Sequence, residues 1–470
     1  MKSKRLHSDY NLNVLLLREN LRVDKSFDII ERHLTVGNLD TAFFYIDGFV
    51  KDGETLRIMQ HLLSQKSLGT AEEVERIMPY VEVELCDSPD DIIRAVLSGQ
   101  TAFLSESFGP FAMLLDLRTY PARQTSEPES DRVMQGARDG FVETLVVNTA
   151  LIRRRIRDPR LTMEHFSMGG SSETDVVVCY LEGVADASTV RDIRTRLKNA
   201  APRSLTLGFQ SLAETLIRSG WFNPFPKIRT TERPDTASAQ LIEGSVIVLC
   251  DTSPQAMILP TSIFDYLEET DDFYFPPLTG TYLRMVRVVI LLFSVVITPL
   301  WYLSIEYSAH LPDALGFLVP DSPGALPIIL QLFLVEFAID GLKIASMNTP
   351  DILSNSLSVV GALILGDFAV EVGWLCGDVI LYMAFVAIAT FAQQNHELGY
   401  AFKFMRMMIL FLVWIIGIWG FVLGIVLFCI FVATNTTLGG RKRYLYPLIP
   451  FNKKAFARLL IRQRKKDFDK

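Results

Sequence analysis

Met407 to Ala433 runs for 27 residues without a charged side chain, MMILFLVWIIGIWGFVLGIVLFCIFVA. At ~1.5 Å rise per residue, a bilayer core of ~30 Å is crossed by about 20 such residues. No soluble core requires so long an apolar segment, so the chain is expected to be membrane-embedded. Further apolar blocks lie at Val288–Ile305, Leu326–Ile344, Leu357–Val372 and Val379–Phe391. Only the first block and the Met407–Ala433 run are long and uncharged enough to read as clear spans. The expected membrane domain, 288–434, therefore has about four spans plus one re-entrant or interfacial segment.

Charge divides the chain in the same way. The last thirty residues hold eleven Lys or Arg against Asp467 and Asp469, a local +9, while the whole chain is −7. Arg284 and Arg287 precede the first span. The positive-inside rule puts both ends on the cytoplasmic side and makes the number of crossings even. At the start, Val14–Leu17 is too short an apolar run for a signal-peptide core, which agrees with a cytoplasmic N-terminal half.

Residues 1–120 read as an α/β subdomain. Asp87-Ser-Pro-Asp90 caps a helix that closes at Gly99, and strand-like runs follow at Thr101–Leu104 and Phe111–Leu117. A polar, proline-containing linker is expected at 121–135, then a second α/β subdomain at 136–265. There Leu241–Gly244, Val246–Asp251 and Gln255–Pro260 repeat the order helix end, glycine, strand, turn, strand. Duplication and chance recurrence of a common unit both fit so short a match. Residues 266–287 form an acidic, aromatic juxtamembrane element, and 435–470 a basic cytoplasmic tail suited to anionic lipid or to topology anchoring.

No catalytic constellation is present: no P-loop, no HExxH and no GxSxG. The six histidines are scattered, and the five cysteines contain no CxxC pair, a spacing that does not fit zinc. No catalytic, cofactor or metal residue is therefore expected. The run Arg153-Arg-Arg-Ile-Arg157 sits in acidic surroundings and reads as salt bridges at a domain junction rather than as a nucleic-acid site.

The functional signal is charge inside the apolar blocks. Glu336, Asp340 and Lys343 share one helix face at i, i+4 and i+7, and Asp367 and Glu371 are again i and i+4. A charge at the bilayer centre costs roughly 2.5–3.5 kcal/mol on insertion scales. Two readings account for these five residues. In one they form interhelical ion pairs or lie at headgroup depth, with Lys343 answering Asp340. In the other, acidic side chains from several subunits ring a water-filled path for monovalent cations, with Glu336 as the main selectivity element. Gly417, Gly420 and Gly424 are candidates for close helix packing, or for a kink.

Several of these segments resemble one family. Gly136–Glu143, Arg153–Pro159, Tyr180–Gly183, Thr231–Asp235, Leu241–Gly244 and Val360–Asp367 are similar to the A-subunit family of bacterial spore germinant receptors, the GerA family. Glu336–Pro350 and Glu397–Arg406 resemble its stage V sporulation protein AF branch. The resemblance covers nearly the whole chain from about residue 25. It implies a two-part cytoplasmic domain, a multi-pass domain in the spore inner membrane, and a role in germination, when ions leave the spore core. It also implies assembly as an oligomeric channel, a homo-oligomer in contact with membrane lipid and other germination membrane proteins. A non-conducting scaffold is the alternative. A secondary transporter is disfavoured, because no pair of broken helices recurs in corresponding halves.

Overall fold

The computed structural model describes residues 5–120, 136–200, 204–217, 222–348, 369–393, 395–438 and 444–461. The expected linker 121–135 and Asp367 lie outside them. Two compact units divide the chain: residues 1–218 with 228–261, and residues 219–227 with 262–470.

The first unit holds two modules of one topology. In the first, helix α1 (Tyr10–Leu21) leads into strands β1 (Ile29–Val36) and β2 (Leu39–Ile46). Helices α2 (Asp52–Leu63) and α3 (Ala71–Ile77), strand β3 (Val83–Cys86), helix α4 (Pro89–Leu97) and strands β4 (Thr101–Ser105) and β5 (Ala112–Leu115) complete it. The second module repeats the order: α5 (Leu145–Arg155), β6 (Leu161–Met168), β7 (Thr174–Leu181), α6 (Ala187–Asn199), α7 (Phe209–Leu216), β8 (Arg229–Thr231), α8 (Pro234–Ile242), β9 (Val246–Cys250) and β10 (Ala256–Leu259). The antiparallel sheets run β1-β2-β4-β5-β3 and β6-β7-β9-β10-β8, the same order position by position. The repetition glimpsed around Gly99 and Gly244 thus extends to the whole module.

Local chemistry explains why the central strands are apolar throughout. In β4, Ala102 and Leu104 face the core formed with α1 and α4, while Phe103 faces the core formed with α2 and α3. Both faces are covered, so alternation of polar and apolar residues gives way to a continuous apolar run. Each module also carries a buried asparagine at the fourth residue of its leading helix. Asn13 accepts from the His7 amide at 2.7 Å and donates to the His7 carbonyl at 2.7 Å; Asn148 does the same with Val142 at 2.8 and 2.6 Å. Each side chain satisfies backbone groups that helix entry would leave unpaired.

The arginine run joins the modules. Arg153, fully buried, donates to both Asp28 carboxylate oxygens (2.7 and 3.0 Å), to Ser26 Oγ (3.0 Å) and to the Leu161 carbonyl (3.0 Å). Arg155 pairs with Asp139, and Arg154 stacks on the Tyr120 ring. Charges in this run are used internally, as the acidic surroundings imply.

The second unit is helical. Its elements are α9 (Thr270–Tyr274), α10 (Pro277–Glu306), α11 (Ile328–Met347), α12 (Gly377–Phe391), α13 (His396–Ile416), α14 (Ile418–Thr434) and α15 (Lys453–Leu460). The Met407–Ala433 run, expected as one span, is divided. Gly417 adopts φ 58 and ψ −136, a conformation that L side chains rarely reach, and ends α13 there. Helix α14 then folds back: a Cβ at Gly424 would stand 2.8 Å from Ile409 Cγ1, and one at Gly420 would overlap the Leu412 carbonyl oxygen. Gly420 and Gly424 pack one limb of a hairpin on the other, and Gly417 makes the turn between them. Phe225, within the second α/β stretch by sequence, packs with Phe402 and Phe428 in this unit.

Arg284 and Arg287, read from sequence as positive charges preceding the first span, are buried in ion pairs. Arg284 meets Glu268 and Asp272, and Arg287 meets Glu269 and Asp272.

Candidate functional site: an ion-paired cluster within the helical unit

Helix α11 presents Glu336 and Asp340 one turn apart, and α13 presents Lys403 and Arg406 three residues apart. The helices run antiparallel, so Glu336 meets Arg406 and Asp340 meets Lys403. Arg406 donates to Glu336 Oε1 at 2.7 Å and to Oε2 at 2.8 Å, the paired geometry a guanidinium favours with a carboxylate. Lys403 lies 3.0 Å from Glu336 Oε1 and also donates to Asp340. Arg406 further donates to the Ser294 carbonyl of α10 at 3.3 Å. Two carboxylates against two cations leave the cluster neutral.

Burial is uneven. The side chains of Glu336, Lys403 and Arg406 are 8%, 6% and 2% exposed, whereas that of Asp340 is 31% exposed. Asp340 faces a recess of about 20 Å³ bounded by Glu336, Lys343, Thr390, Tyr400 and Lys403. That volume accommodates about one water, with polar groups to hold it.

Sequence reasoning paired Lys343 with Asp340; the structure pairs Asp340 with Lys403. The antiparallel α13 brings Lys403 across to the carboxylate, while Lys343 lies over the Tyr400 ring at 4.8 Å and near Phe391 at 6.0 Å. Glu371 is exposed in a single helical turn, Ala369–Glu371, apart from the cluster. Lys403 and Arg406 were not weighed as partners from sequence. Their signal was an i, i+3 basic pair directly before the apolar run, matching the i, i+4 acidic pair in α11.

Elsewhere, His33 lies beside Glu31 and His165 beside Asp175. Among the described residues no group of three or more His, Cys, Asp or Glu could hold a metal ion.

Helices α10 and α13 are long and apolar enough to cross a bilayer. With an α/β unit on the same chain, they define a membrane-associated protein. The chain belongs to the GerA family: the family model described as Bacillus/Clostridium GerA spore germination protein matches residues 17–470. Stage V sporulation protein AF of Bacillus subtilis (strain 168) is 36% identical, over 94% of this chain and 90% of that protein. Spore germination protein KA of the same organism is 25% identical, over 94% of this chain and 82% of that one. A crystal structure of the N-terminal domain of the A subunit of the Bacillus megaterium spore germinant receptor GerK3 matches at 26% identity and a TM-score of 0.43, covering 56% of this chain and 98% of that one. Family membership carries a role in spore germination.

Proposed function

We propose that this chain promotes germination as a subunit of an oligomeric assembly in the spore inner membrane that conducts monovalent cations, with no chemical step of its own. The supporting observation is the four-residue cluster of α11 and α13. Ionisable groups inside apolar helices are costly, and they mark ion pathways when water reaches them. In the paired arrangement the cluster is neutral and nearly dry, as a closed path would be. Asp340, the most exposed member, is the carboxylate that first meets water and cations when the helices part. Glu336, held by both oxygens, joins α11 to α13. This reading exchanges the roles that sequence spacing assigned to Glu336 and Asp340.

Helix directions support one placement of the chain. Ser294 lies beside Arg406, and Tyr307 of the next residue after α10 lies beside Gly417, so α10 and α13 run parallel. Helix α14 returns antiparallel. The start of α10 and the end of α14 therefore share one end of the bundle, which in this proposal is the core side of the membrane, with surrounding lipid and other germination membrane proteins as partners.

Complete pairing of Glu336 favours a second reading, a non-conducting scaffold whose charges only align helices. Cation flux from liposomes holding the purified chain separates the two. Asp340→Asn is expected to lower flux or cation preference with assembly unchanged. Absence of flux from wild-type liposomes, with the chain correctly assembled, would establish the scaffold instead.

A further inference from the structure

The segment after α14 begins firmly anchored. Tyr444 is fully buried, Asn435 donates to the Phe225 and Pro226 carbonyls, and Ser262 donates to the Tyr446 carbonyl. After the buried Pro447, the four residues Leu448-Ile-Pro-Phe451 are all exposed, with Leu448 at 42%, Ile449 at 51% and Phe451 at 66%. A short helix then starts at Asn452, whose side chain accepts from the Ala455 amide at 3.2 Å. Consecutive exposed apolar residues directly before a capped helix have no role in a soluble surface.

Charge and depth name what covers them. The chain from Arg441 onward carries eleven basic residues against two acidic ones, Lys453 and Lys454 following directly after the wedge. Arg284 Nη1 donates to the Leu459 carbonyl at 2.9 Å, which holds α15 level with Arg284 on α10. The uncharged stretch of α10 begins four residues later at Val288, ~6 Å along the helix axis. A headgroup layer is about 5–7 Å thick on each side of the hydrocarbon core. Leu278, Tyr282 and Met285 at the start of α10 are exposed as well. Because Arg284 and Arg287 are already ion-paired, attraction to lipid phosphates falls to the tail.

We propose that residues 444–461 form a surface wedge that inserts Leu448, Ile449 and Phe451 into the headgroup–acyl boundary of an anionic leaflet, drawn there by the net positive charge of the surrounding sequence. This rests on the membrane placement of α10 given above. Interfacial elements of this kind bind through buried apolar area together with charge attraction, and the charge part weakens with salt.

The test is amide hydrogen exchange of the full chain in nanodiscs of phosphatidylcholine alone and with added phosphatidylglycerol. Exchange in 444–461 is expected to be on the order of tenfold slower in the anionic discs, a difference that high salt removes. Lys453→Gln/Lys454→Gln/Arg458→Gln should remove the lipid dependence, and Leu448→Ser/Phe451→Ser should speed exchange in both lipids. Unchanged exchange in α10 and α13 shows that each variant is folded. Retention of the chain in both kinds of disc reports the placement of α10 separately from the tail. Equal exchange in the two lipids overturns the proposal. So does protection that follows the number of chains per disc, which would assign the surface to a second copy.

Discussion

Removing Glu336 leaves Arg406 buried among apolar side chains with its main counter-charge gone. Glu336 supplies three of the contacts in the cluster: two to Arg406 at 2.7 and 2.8 Å and one to Lys403 at 3.0 Å. Breaking a buried pair by removing one partner costs about 3–5 kcal/mol. An uncompensated arginine in hydrocarbon costs roughly 2.5–3.5 kcal/mol on the insertion scale, so two independent estimates meet near ~3 kcal/mol. Asp340→Asn is milder. Its side chain is 31% exposed, and Lys403 keeps Glu336 as a partner, so a loss of about 1 kcal/mol is expected. The compensating double variant Glu336→Leu/Arg406→Met removes both charges at once and should recover most of the loss, because apolar replacement of a buried pair is often neutral or stabilising. The assay is heat treatment of the detergent-solubilised chain, followed by the fraction that stays monodisperse, for Glu336→Leu, Arg406→Met and their double, alongside Glu336→Gln and Asp340→Asn. A favourable coupling of at least ~2 kcal/mol between positions 336 and 406 is expected from the cycle. If Glu336→Gln matches wild type, or if the double variant is no better than the sum of its singles, the cluster does not join α11 to α13.

Two further outcomes are expected. Arg153→Ala should destabilise the N-terminal unit by about 3–5 kcal/mol, since it strands the buried Asp28 carboxylate. Alkylation at pH 8 reports this, because burial pushes the Cys179 thiol up and the Cys250 thiol up to about 12, so both are inert until the unit opens; an unchanged alkylation rate in the variant would contradict the assignment. Gly420→Ala should cost about 1–3 kcal/mol in the same heat assay, because the added methyl meets backbone rather than a movable side chain. Gly53→Ala is the matched control, having nothing within 4 Å of the added carbon.

What the sequence revealed was set by interactions between near neighbours. The strands after Gly99 and Gly244 were legible because a cap, a closing glycine and an unbroken apolar run lie within about fifteen residues of one another. The internal use of Arg153 was legible from its acidic surroundings, although Asp28 as its partner was not. Hydropathy, however, carries no direction. A glycine within an apolar run reads equally as a packing motif or as a reversal, and only the backbone at Gly417 decides for reversal. Partner choice in the cluster was likewise hidden. Lys343 is near Asp340 along the chain, yet the antiparallel course of α13 gives that carboxylate to Lys403.

The hairpin at Gly417 also bears on how the chain reaches its membrane. In the membrane placement proposed above, two antiparallel limbs return the chain to the side it left, so insertion as a pair would carry only the turn around Gly417 through the lipid. No charged side chain lies between Met407 and Ala433 to oppose that passage. Lys403 and Arg406, on the first limb, are neutralised by Glu336 and Asp340 of α11. The last apolar stretch is thus built to enter as one unit, after the acidic partners on α11 have already been made.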